Sequence, residues 1–389
     1  MRITHVITRL IVGGAQENTI ASVLGLRAKP GLEAELVSGP TRGPEGSLEG
    51  LLTPFPGLLR VVPELVRPVD PLRDWLAWRQ LTELFRARRP DIVHTHSGKA
   101  GVLGRLAAAR AGVPTIVHTI HGPSFGRFQG GAANLLFRAA ERRAGRVTTH
   151  FVVVAEAMRR QYLAAGIGRA EQYTQILSGF ALDPFLGAAN DPEARARYGL
   201  SAEDIVVGKI ARLFKLKGHE DLLAVAPGLV RACPRLKFLL VGDGPWREPL
   251  VRRAGALGLE KHFVFTGLVR PEAIPGVVGM MDIVVHLSRR EGLARALPQA
   301  MAAARPIVAC DCDGAREVCL DNETGFLLAP GDLAGLSQRL LRLAGDAGLR
   351  RRLGQRGRQL AQERFGLERM VDALHGLYLR LAGRRRGAT

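Results

Sequence analysis

Residues 205–221 read IVVGKIARLFKLKGHED, and the expected fold rests on the pattern in this stretch. Its first six residues form a mostly apolar run, which is typical of a strand buried in a parallel sheet. A loop with Arg212 and Lys217 follows, and a helical pattern opens near His219. The stretch therefore predicts a strand, a loop and a helix in succession, which is the repeating unit of doubly wound α/β sheets.

The same alternation of apolar runs and helical patterns extends along almost the whole chain. Ten further runs predict strands, at 4–7, 34–38, 92–96, 115–119, 151–154, 238–241, 263–265, 283–286, 306–309 and 325–328. Several of these runs are apolar on both faces, as expected of parallel strands that helices cover on each side. We therefore predict an α/β fold with two Rossmann-like, doubly wound parallel-sheet domains that face a cleft.

Turn-forming Gly, Pro, Asn and Asp residues interrupt this alternation and predict a linker at 186–203. The linker separates an N-terminal Rossmann-like domain at 1–185 from a C-terminal one at 204–365. A helical pattern at 366–383 is expected to pack back on the first domain. A chain of 389 residues is long enough for two such cores.

The formal net charge of +19 predicts attraction to polyanions or anionic surfaces. The sequence lacks zinc-finger, RRM and basic-zipper patterns, so we do not expect a nucleic-acid partner. Six arginines form a basic cluster: Arg138, Arg142, Arg143, Arg146, Arg159 and Arg160. Two interpretations stay open, a solubilising surface and peripheral contact with an anionic membrane.

We expect the protein in the cytoplasm. Any contact with a membrane would be at its inner face. The four cysteines form no C-x-x-C pair and no zinc-ligand pattern, which favours reduced thiols. The first residues predict a strand that is too short and too polar for a signal peptide. No apolar run reaches the roughly 18 residues that a membrane-spanning helix needs.

The loop of the 205–221 stretch is a candidate anion site. The start of a helix presents unpaired N–H groups and a partial positive charge. Arg212 adds a guanidinium fork and Lys217 an ammonium group, and this combination points to a diphosphate. The alternative is that both side chains are solvated loop charges.

A second candidate lies after the strand at 283–286. Glu291 falls on a loop and Gln299 in the helix that follows, so a carboxylate and an amide can bind sugar and ribose hydroxyls. The backbone N–H groups of Gly292, Leu293 and Ala294 are expected to point into the same site. The alternative is that Glu291 is a solvent-facing charge.

Six motifs occur together and in one order along the chain. They are Gly13-Gly14, His121-Gly122, Arg212 with Lys217-Gly218, Val241-Gly242-Asp243-Gly244-Pro245, Phe265-Thr266-Gly267 and the run 291–302. In this order the chain resembles glycosyltransferase family 4, whose members have the GT-B fold. The resemblance implies a retaining hexosyltransferase of bacterial type that moves a sugar from a nucleotide-diphosphate sugar to a hydroxyl acceptor.

The resemblance also implies roles for individual residues. Arg212 and Lys217 would neutralise the donor diphosphate, Glu291 would contact the transferred sugar, and His121 would lie beside the reaction centre. The implied donor-binding positions are Gly13, Gly14, Gly242, Leu268, Val269, Gly292, Leu293, Ala294 and Gln299. A UDP-sugar would be the co-substrate, with no cofactor and no bound metal. The product would be a polysaccharide, a lipid-linked glycan or a glycolipid.

Two features of the sequence concern specificity. The family has a second glutamate eight positions after the first, whereas Gln299 stands there in this chain, which predicts a weaker or differently arranged contact to the ribose. The carbohydrate or lipid-linked acceptor is expected to meet residues of the first domain. The candidates for that side are Gln16, His96, Ser97 and Lys99.

Three other functions remain as alternatives. A nucleotide-sugar 2-epimerase has the same fold, and it would interconvert the donor without an acceptor. A non-catalytic nucleotide-sugar-binding protein is conceivable because Gln299 replaces a carboxylate. A NAD-dependent oxidoreductase is disfavoured, because no G-x-G-x-x-G follows the first strand.

Overall fold

A computed structural model describes residues 1–43, 45–126 and 128–386, with side chains as far as residue 383. The chain divides into two compact units. Unit 1 comprises Met1–Phe180 and the C-terminal segment that begins at Leu367, and unit 2 comprises Ala181–Gly366. Among the described residues, no helix combines the length and the apolar character required to cross a membrane.

The strands of both units follow one another in chain order. They are β1 (Arg2–Ile7), β2 (Glu33–Ser38), β3 (Leu59–Val61), β4 (Ile92–His96), β5 (Thr115–Ile120), β6 (His150–Val153), β7 (Tyr173–Gln175), β8 (Ile205–Ile210), β9 (Leu236–Val241), β10 (Phe263–Gly267), β11 (Ile283–His286), β12 (Ile307–Cys310) and β13 (Gly325–Leu328).

The α-helices lie between these strands and after the last one. They are α1 (Gly14–Arg27), α2 (Pro71–Arg88), α3 (Gly98–Arg110), α4 (Gly131–Gly145), α5 (Glu156–Ala164), α6 (Asp183–Leu186), α7 (Pro192–Arg197), α8 (His219–Ala232), α9 (Arg247–Ala256), α10 (Ile274–Gly279), α11 (Ala296–Ala302), α12 (Leu333–Gly345), α13 (Ala347–Arg364) and α14 (Leu367–Arg386).

Each unit contains one parallel sheet, as predicted. The sheet of unit 1 has the order β3-β2-β1-β4-β5-β6-β7, and that of unit 2 has the order β10-β9-β8-β11-β12-β13. In both sheets the order reverses beside the first strand of the unit, between β1 and β4 and between β8 and β11. Ligands of doubly wound sheets bind at the carboxyl ends of the strands at such a reversal.

Apolar residues cover both faces of the unit 1 sheet. On one face α1 and α14 pack through side chains such as Ile20, Val23 and Leu374. On the other face α2 and α3 contribute Leu81, Phe85 and several alanines. This double cover explains why every residue of β4 and β5 is buried.

The structure also shows what the sequence patterns did not predict. All eleven predicted strands are present, but β3 and β7 were missed, since each is a three-residue edge strand without an apolar run. The stretch 186–203, predicted as a linker, belongs to unit 2 and contains α7. Asp191 caps that helix by accepting a hydrogen bond from the Glu193 N–H at 2.9 Å, and Pro192 occupies its first turn. Asp-Pro therefore marks a helix start here.

Candidate active site

Unit 1 brings its predicted site residues to the carboxyl ends of three neighbouring strands. Gly13, Gly14 and Gln16 lie after β1 at the start of α1, Ser97 and Lys99 follow β4, and His121 follows β5. Because β1, β4 and β5 are adjacent and parallel, their carboxyl ends lie at one edge of the sheet. The reversal of strand order falls at this edge, between β1 and β4.

His96 and His121 are in direct contact. The distance from His96 Nδ1 to His121 Nε2 is 2.9 Å, and the two rings are stacked. His96 is only 1% exposed and lies behind His121, whose side chain is half-buried. Burial, and then the neighbouring His94, hold the pKa of His96 well below its ordinary value, so this ring is neutral.

The candidates Ser97 and Lys99 are held by contacts with neighbouring residues of unit 1. Ser97 has a φ of 62° just before α3, and its hydroxyl lies 2.9 Å from that of Thr8. The Thr8 hydroxyl also accepts the Ala100 N–H at 3.1 Å, so it fixes the start of the helix. The Lys99 ammonium group contacts the Asp74 carboxylate and the Pro68 carbonyl. The sequence analysis did not identify Thr8. Thr8 directly follows β1, and polar side chains that shape a site often lie at the carboxyl end of a strand.

The loop that follows His121 is anchored by buried polar groups. The Ser124 hydroxyl donates to Glu141 at 2.8 Å and lies 2.6 Å from the Tyr162 hydroxyl. Glu141 in turn forms a buried ion pair with Arg105 at 2.6 Å. Removing either partner of such a buried pair would leave an uncompensated charge. Ser124 therefore ties the loop to α4 and α5.

In unit 2 the loop between β8 and α8 adopts the geometry expected from its sequence. Arg212 is exposed after β8 and lies over the Phe214 ring at 5.0 Å, and Lys217 ends a single 3-10 turn. Gly218 has a φ of 67°, and a Cβ there would lie 2.1 Å from the Leu287 carbonyl oxygen. Only glycine fits this position, and α8 begins at His219, directly after it.

Lys217 and Glu291 form an ion pair, which joins the two motifs of the second half. Their side chains are 17% and 25% exposed. The Glu291 N–H donates to the Asp313 carboxylate at 2.8 Å, and His286 Nε2 lies 3.8 Å from Glu291 Oε1. Burial alone would raise the pKa of the Glu291 carboxyl, but Lys217 and His286 lower it below its ordinary value. Glu291 is therefore a fixed, ionised acceptor.

The residues behind this ion pair are buried and basic. Burial lowers the pKa of Lys209 to about 7, and it lowers those of His219 and His286 to about 3. Among the described groups, none hydrogen-bonds to the Lys209 ammonium. The sequence reading missed Lys209, His286 and Asp313. Lys209 and His286 lie near the carboxyl ends of β8 and β11, and Asp313 follows β12. Polar residues at the ends of predicted strands were therefore the sequence signal that could have identified them.

The remaining donor-side candidates lie at the carboxyl edge of the same sheet. Gly292, Leu293 and Ala294 form the loop before α11, where Gln299 is buried. Gly242 follows β9, and its N–H donates to the Gly267 carbonyl at 3.0 Å at the end of β10. Leu268 is exposed just beyond that point, and Val269 next to it is half-buried.

One group of three potential metal ligands occurs among the described residues, His5, His94 and His96. Their ligand nitrogens all lie within 4.8 Å of one another. Each of the six ring nitrogens already has a hydrogen-bonding partner in the protein. A metal ion would therefore have to displace bonds that satisfy these rings.

Comparison with known proteins accounts for both units. Residues 13–179 match the family model described as glycosyl transferase 4-like domain, and residues 190–360 match glycosyl transferases group 1. EpsD of Bacillus subtilis is 30% identical over 318 residues, which are 80% of this chain and 82% of EpsD. The chain belongs to glycosyltransferase family 4.

Two further proteins place this glycosyltransferase among its relatives. The Escherichia coli UDP-Gal:alpha-D-GlcNAc-diphosphoundecaprenol alpha-1,3-galactosyltransferase is 26% identical, over 82% of each chain. Anabaena HepE, solved in complex with UDP and glucose, superposes with a TM-score of 0.82 at 23% identity, over 97% of this chain and 99% of HepE. The family 4 protein is thus an enzyme of the GT-B fold that transfers sugar from a nucleotide-sugar in glycan synthesis.

Proposed function

We propose that this glycosyltransferase uses a UDP-sugar and transfers the sugar, with retention of anomeric configuration, to a hydroxyl group of a polysaccharide, lipid-linked glycan or glycolipid. Two comparisons support this choice of donor and acceptor. The Escherichia coli relative is named for a UDP-Gal donor and a diphosphoundecaprenol-linked acceptor. HepE was solved with UDP and glucose bound.

The ion pair of Lys217 and Glu291 is the observation that carries the proposal. In a nucleotide-sugar the β-phosphate is bonded directly to the sugar ring. A cation for the phosphate and an acceptor for the ring hydroxyls must therefore be neighbours, as Lys217 and Glu291 are. Arg212, on the same loop as Lys217, is the second candidate for the diphosphate.

We assign the stabilisation of the leaving diphosphate to protein groups and not to a bound metal ion. Lys217, Arg212 and the start of α8 supply positive charge and N–H donors where a metal would otherwise be needed. We place His121 at the reaction centre. Gln16 and Ser97 are the preferred acceptor-side residues, because His96 is buried behind His121 and Lys99 is engaged by Asp74.

The test uses UDP-, GDP- and ADP-sugars in the presence of a chelator, with the Lys217→Met variant beside the wild type. We expect the wild type to act on a UDP-sugar, giving a product whose anomeric configuration, read by NMR, equals that of the donor. Loss of the ammonium group should lower kcat by about 100-fold and raise the donor KM, because the leaving-group charge peaks in the transition state.

Lys215→Met is the matched control, since Lys215 is exposed on the same 3-10 turn. It should retain nearly full activity. Equal losses in the two variants would remove the specific role of Lys217. Preference for a GDP- or ADP-sugar would overturn the UDP assignment, and activity that chelator abolishes and divalent metal restores would overturn the metal-free one.

We further propose that α4 rests on the inner, cytoplasmic face of an anionic membrane. Leu135 and Leu136 are 69% and 58% exposed, and they share a helix face with the exposed Arg142 and Arg143. Exposed leucines can bury apolar area in the membrane interface, and neighbouring arginines can meet anionic headgroups. The free cysteines suit a reducing compartment.

A further inference from the structure

A buried amine lies next to the loop that carries Lys217. Lys209 is the last residue but one of β8, and the loop follows directly at the carboxyl end of this strand. The Lys209 side chain is completely buried, and among the described groups none lies within hydrogen-bonding distance of its Nζ. A buried polar group without a partner is uncommon and costly, so its presence calls for a functional explanation.

The alternation of side chains along β8 places this amine under the start of α8. Lys209 shares a sheet face with Val207, which belongs to the same apolar core as Leu222 of α8. His219, the first residue of α8, interacts electrostatically with Lys209. The start of α8 and Lys217 are the groups that we assign to the donor diphosphate. Lys209 therefore lies behind these groups, on the interior side of the loop.

The carboxylates near Lys209 are already paired with other cations. Two carboxylates act electrostatically on its amine, those of Glu291 and Asp221. Glu291 forms the ion pair with Lys217, and Asp221 accepts two hydrogen bonds from Arg289, at 2.8 and 3.1 Å. A protonated Lys209 thus adds one positive charge more than these carboxylates balance. An anionic ligand of the loop would supply the missing negative charge.

The other titratable groups around Lys209 leave its charge unbalanced. The groups that interact with it come from every neighbouring element: Lys217 of the loop, His219 and Asp221 of α8, His286 of β11, Glu291 of the following loop, and Cys310 of β12. Burial lowers the pKa of both histidines to about 3 and raises that of the cysteine thiol, so all three are neutral. Burial, followed by Lys217, lowers the pKa of Lys209 to about 7, so its amine is mostly neutral at pH 8.

We propose that Lys209 is a further positioning residue for the donor diphosphate, whose binding makes the buried amine take up one proton from the solvent and become an ammonium group. No bond of the donor breaks in this step, and the lone pair of Nζ forms the new N–H bond. The ammonium group then attracts the phosphates from behind the loop, through an interior that screens charges weakly. The inference rests on the proposed binding of a nucleoside diphosphate at Lys217.

The expected magnitude follows from the linkage between proton and ligand binding. Two opposite unit charges about 12 Å apart, at an effective dielectric constant of about 20, favour the ammonium form about tenfold. With a starting pKa of about 7, this preference corresponds to an uptake of about 0.4 proton per bound ligand at pH 8. Relative to a permanently neutral side chain, the amine then strengthens binding about eightfold at pH 6.5 and hardly at all at pH 9.

Proton uptake is measured by isothermal titration calorimetry with UDP at pH 8, in two buffers that differ in ionisation enthalpy. We expect an uptake of about 0.4 proton per UDP for the wild type and of nearly zero for Lys209→Met. At this pH free UDP is almost fully ionised, and His219 and His286 are neutral in the protein. The difference between the two proteins therefore reports Lys209.

The affinity for UDP provides the second readout, as the ratio of the Kd of Lys209→Met to that of the wild type. We expect a ratio of about 8 at pH 6.5 that falls to nearly 1 at pH 9. The ionisation of UDP itself cancels in this ratio. Lys237→Met is the matched control, because it removes a lysine near the amino end of the adjacent strand β9, where Nζ donates to the Lys261 carbonyl at 2.8 Å. It should keep the wild-type proton uptake and Kd.

Equal proton uptake by the wild type and Lys209→Met would overturn the inference. A Kd ratio that stays constant with pH would also overturn it, since a loss of packing alone does not titrate. Binding of GDP or ADP but not of UDP would refute the proposed donor, and the same measurements with the nucleotide that binds would still test Lys209. Failure of all three nucleotides to bind would refute the diphosphate site and this inference with it.

Discussion

Lys209 is a buried amine, and its protonation lowers the stability of unit 2. It lies on β8, and among the described groups none hydrogen-bonds to its ammonium. Burial, followed by the nearby Lys217, lowers its pKa from 10.5 to about 7. In the folded state the proton is therefore held less tightly than in the unfolded chain, which means that protonation opposes folding. The penalty is full below about pH 7 and disappears as the pH rises to 10.5.

Replacing Lys209 by methionine should therefore stabilise the protein. We expect a gain of about 4 kcal/mol in the free energy of unfolding at pH 7 and a smaller gain at each higher pH, falling to about 1 kcal/mol near pH 10. Thermal unfolding between pH 7 and pH 10 measures this trend. Lys261→Met, at an exposed lysine, is the control and should show no such trend. A gain that stays constant with pH would contradict the burial of a titrating amine.

At the scale of elements, the packing of α14 on α1 depends on one small residue. A Cβ at Gly25 of α1 would lie 2.4 Å from a methyl carbon of Val371, which is buried on α14. The two helices therefore approach each other at a point where α1 has no side chain. Glycine lowers the intrinsic helix propensity by about 1 kcal/mol, so its presence in α1 reflects this contact.

Gly25→Ala should destabilise unit 1 by about 1–3 kcal/mol, despite the better helix propensity of alanine, because the added methyl group overpacks the contact. The double variant with Val371→Ala should recover part of that loss, and chemical denaturation measures both. Gly376→Ala is the control: it lies in α14, its Cβ would have ordinary contacts, and it should stabilise slightly. Additive losses in the double variant would show that Gly25 and Val371 do not meet.

The strands could be predicted where apolar residues form an uninterrupted run in the sequence. β8 and β11 were found with their observed bounds, and the start of α8 was expected at its observed place. The Asp191-Pro192 pair was misread as a linker, because the same residues begin helices and form turns. The ion pair of Lys217 and Glu291 spans 74 positions, and only the family resemblance put both at one site.

The cluster of His5, His94 and His96 with Tyr378 lay beyond sequence reasoning for a similar reason. Tyr378 and His5 are 373 positions apart, and no local pattern connects them. The sequence analysis named His96 as an acceptor-side candidate. It did not show that α14 would place a hydroxyl group beside His94 on the same strand, since this depends on the packing of the whole unit.

At the scale of the whole molecule, the net charge of +19 should make membrane binding sensitive to salt. We expect binding to anionic lipid vesicles in sedimentation assays at low salt, weaker binding at high salt, and little binding to neutral vesicles. Leu135→Ser with Leu136→Ser should reduce binding by about tenfold or more, through the loss of buried apolar area.

Leu333→Ser, at another exposed leucine, is the control for this experiment. Its binding to vesicles should match that of the wild type. If the control variant loses as much affinity as the α4 variant, or if neutral vesicles bind equally well, the assignment of α4 to the membrane would be wrong.

The chain leaves unit 1 after Phe180 and returns to it at Leu367, and this has a consequence for biosynthesis. The ribosome delivers α1 and the sheet of unit 1 long before α14, because all of unit 2 is translated between them. Until then the apolar face that receives Leu374 and Tyr378 is uncovered on the nascent chain. Unit 2 is contiguous and is able to complete its core first, so unit 1 is the part that chaperones must protect during translation.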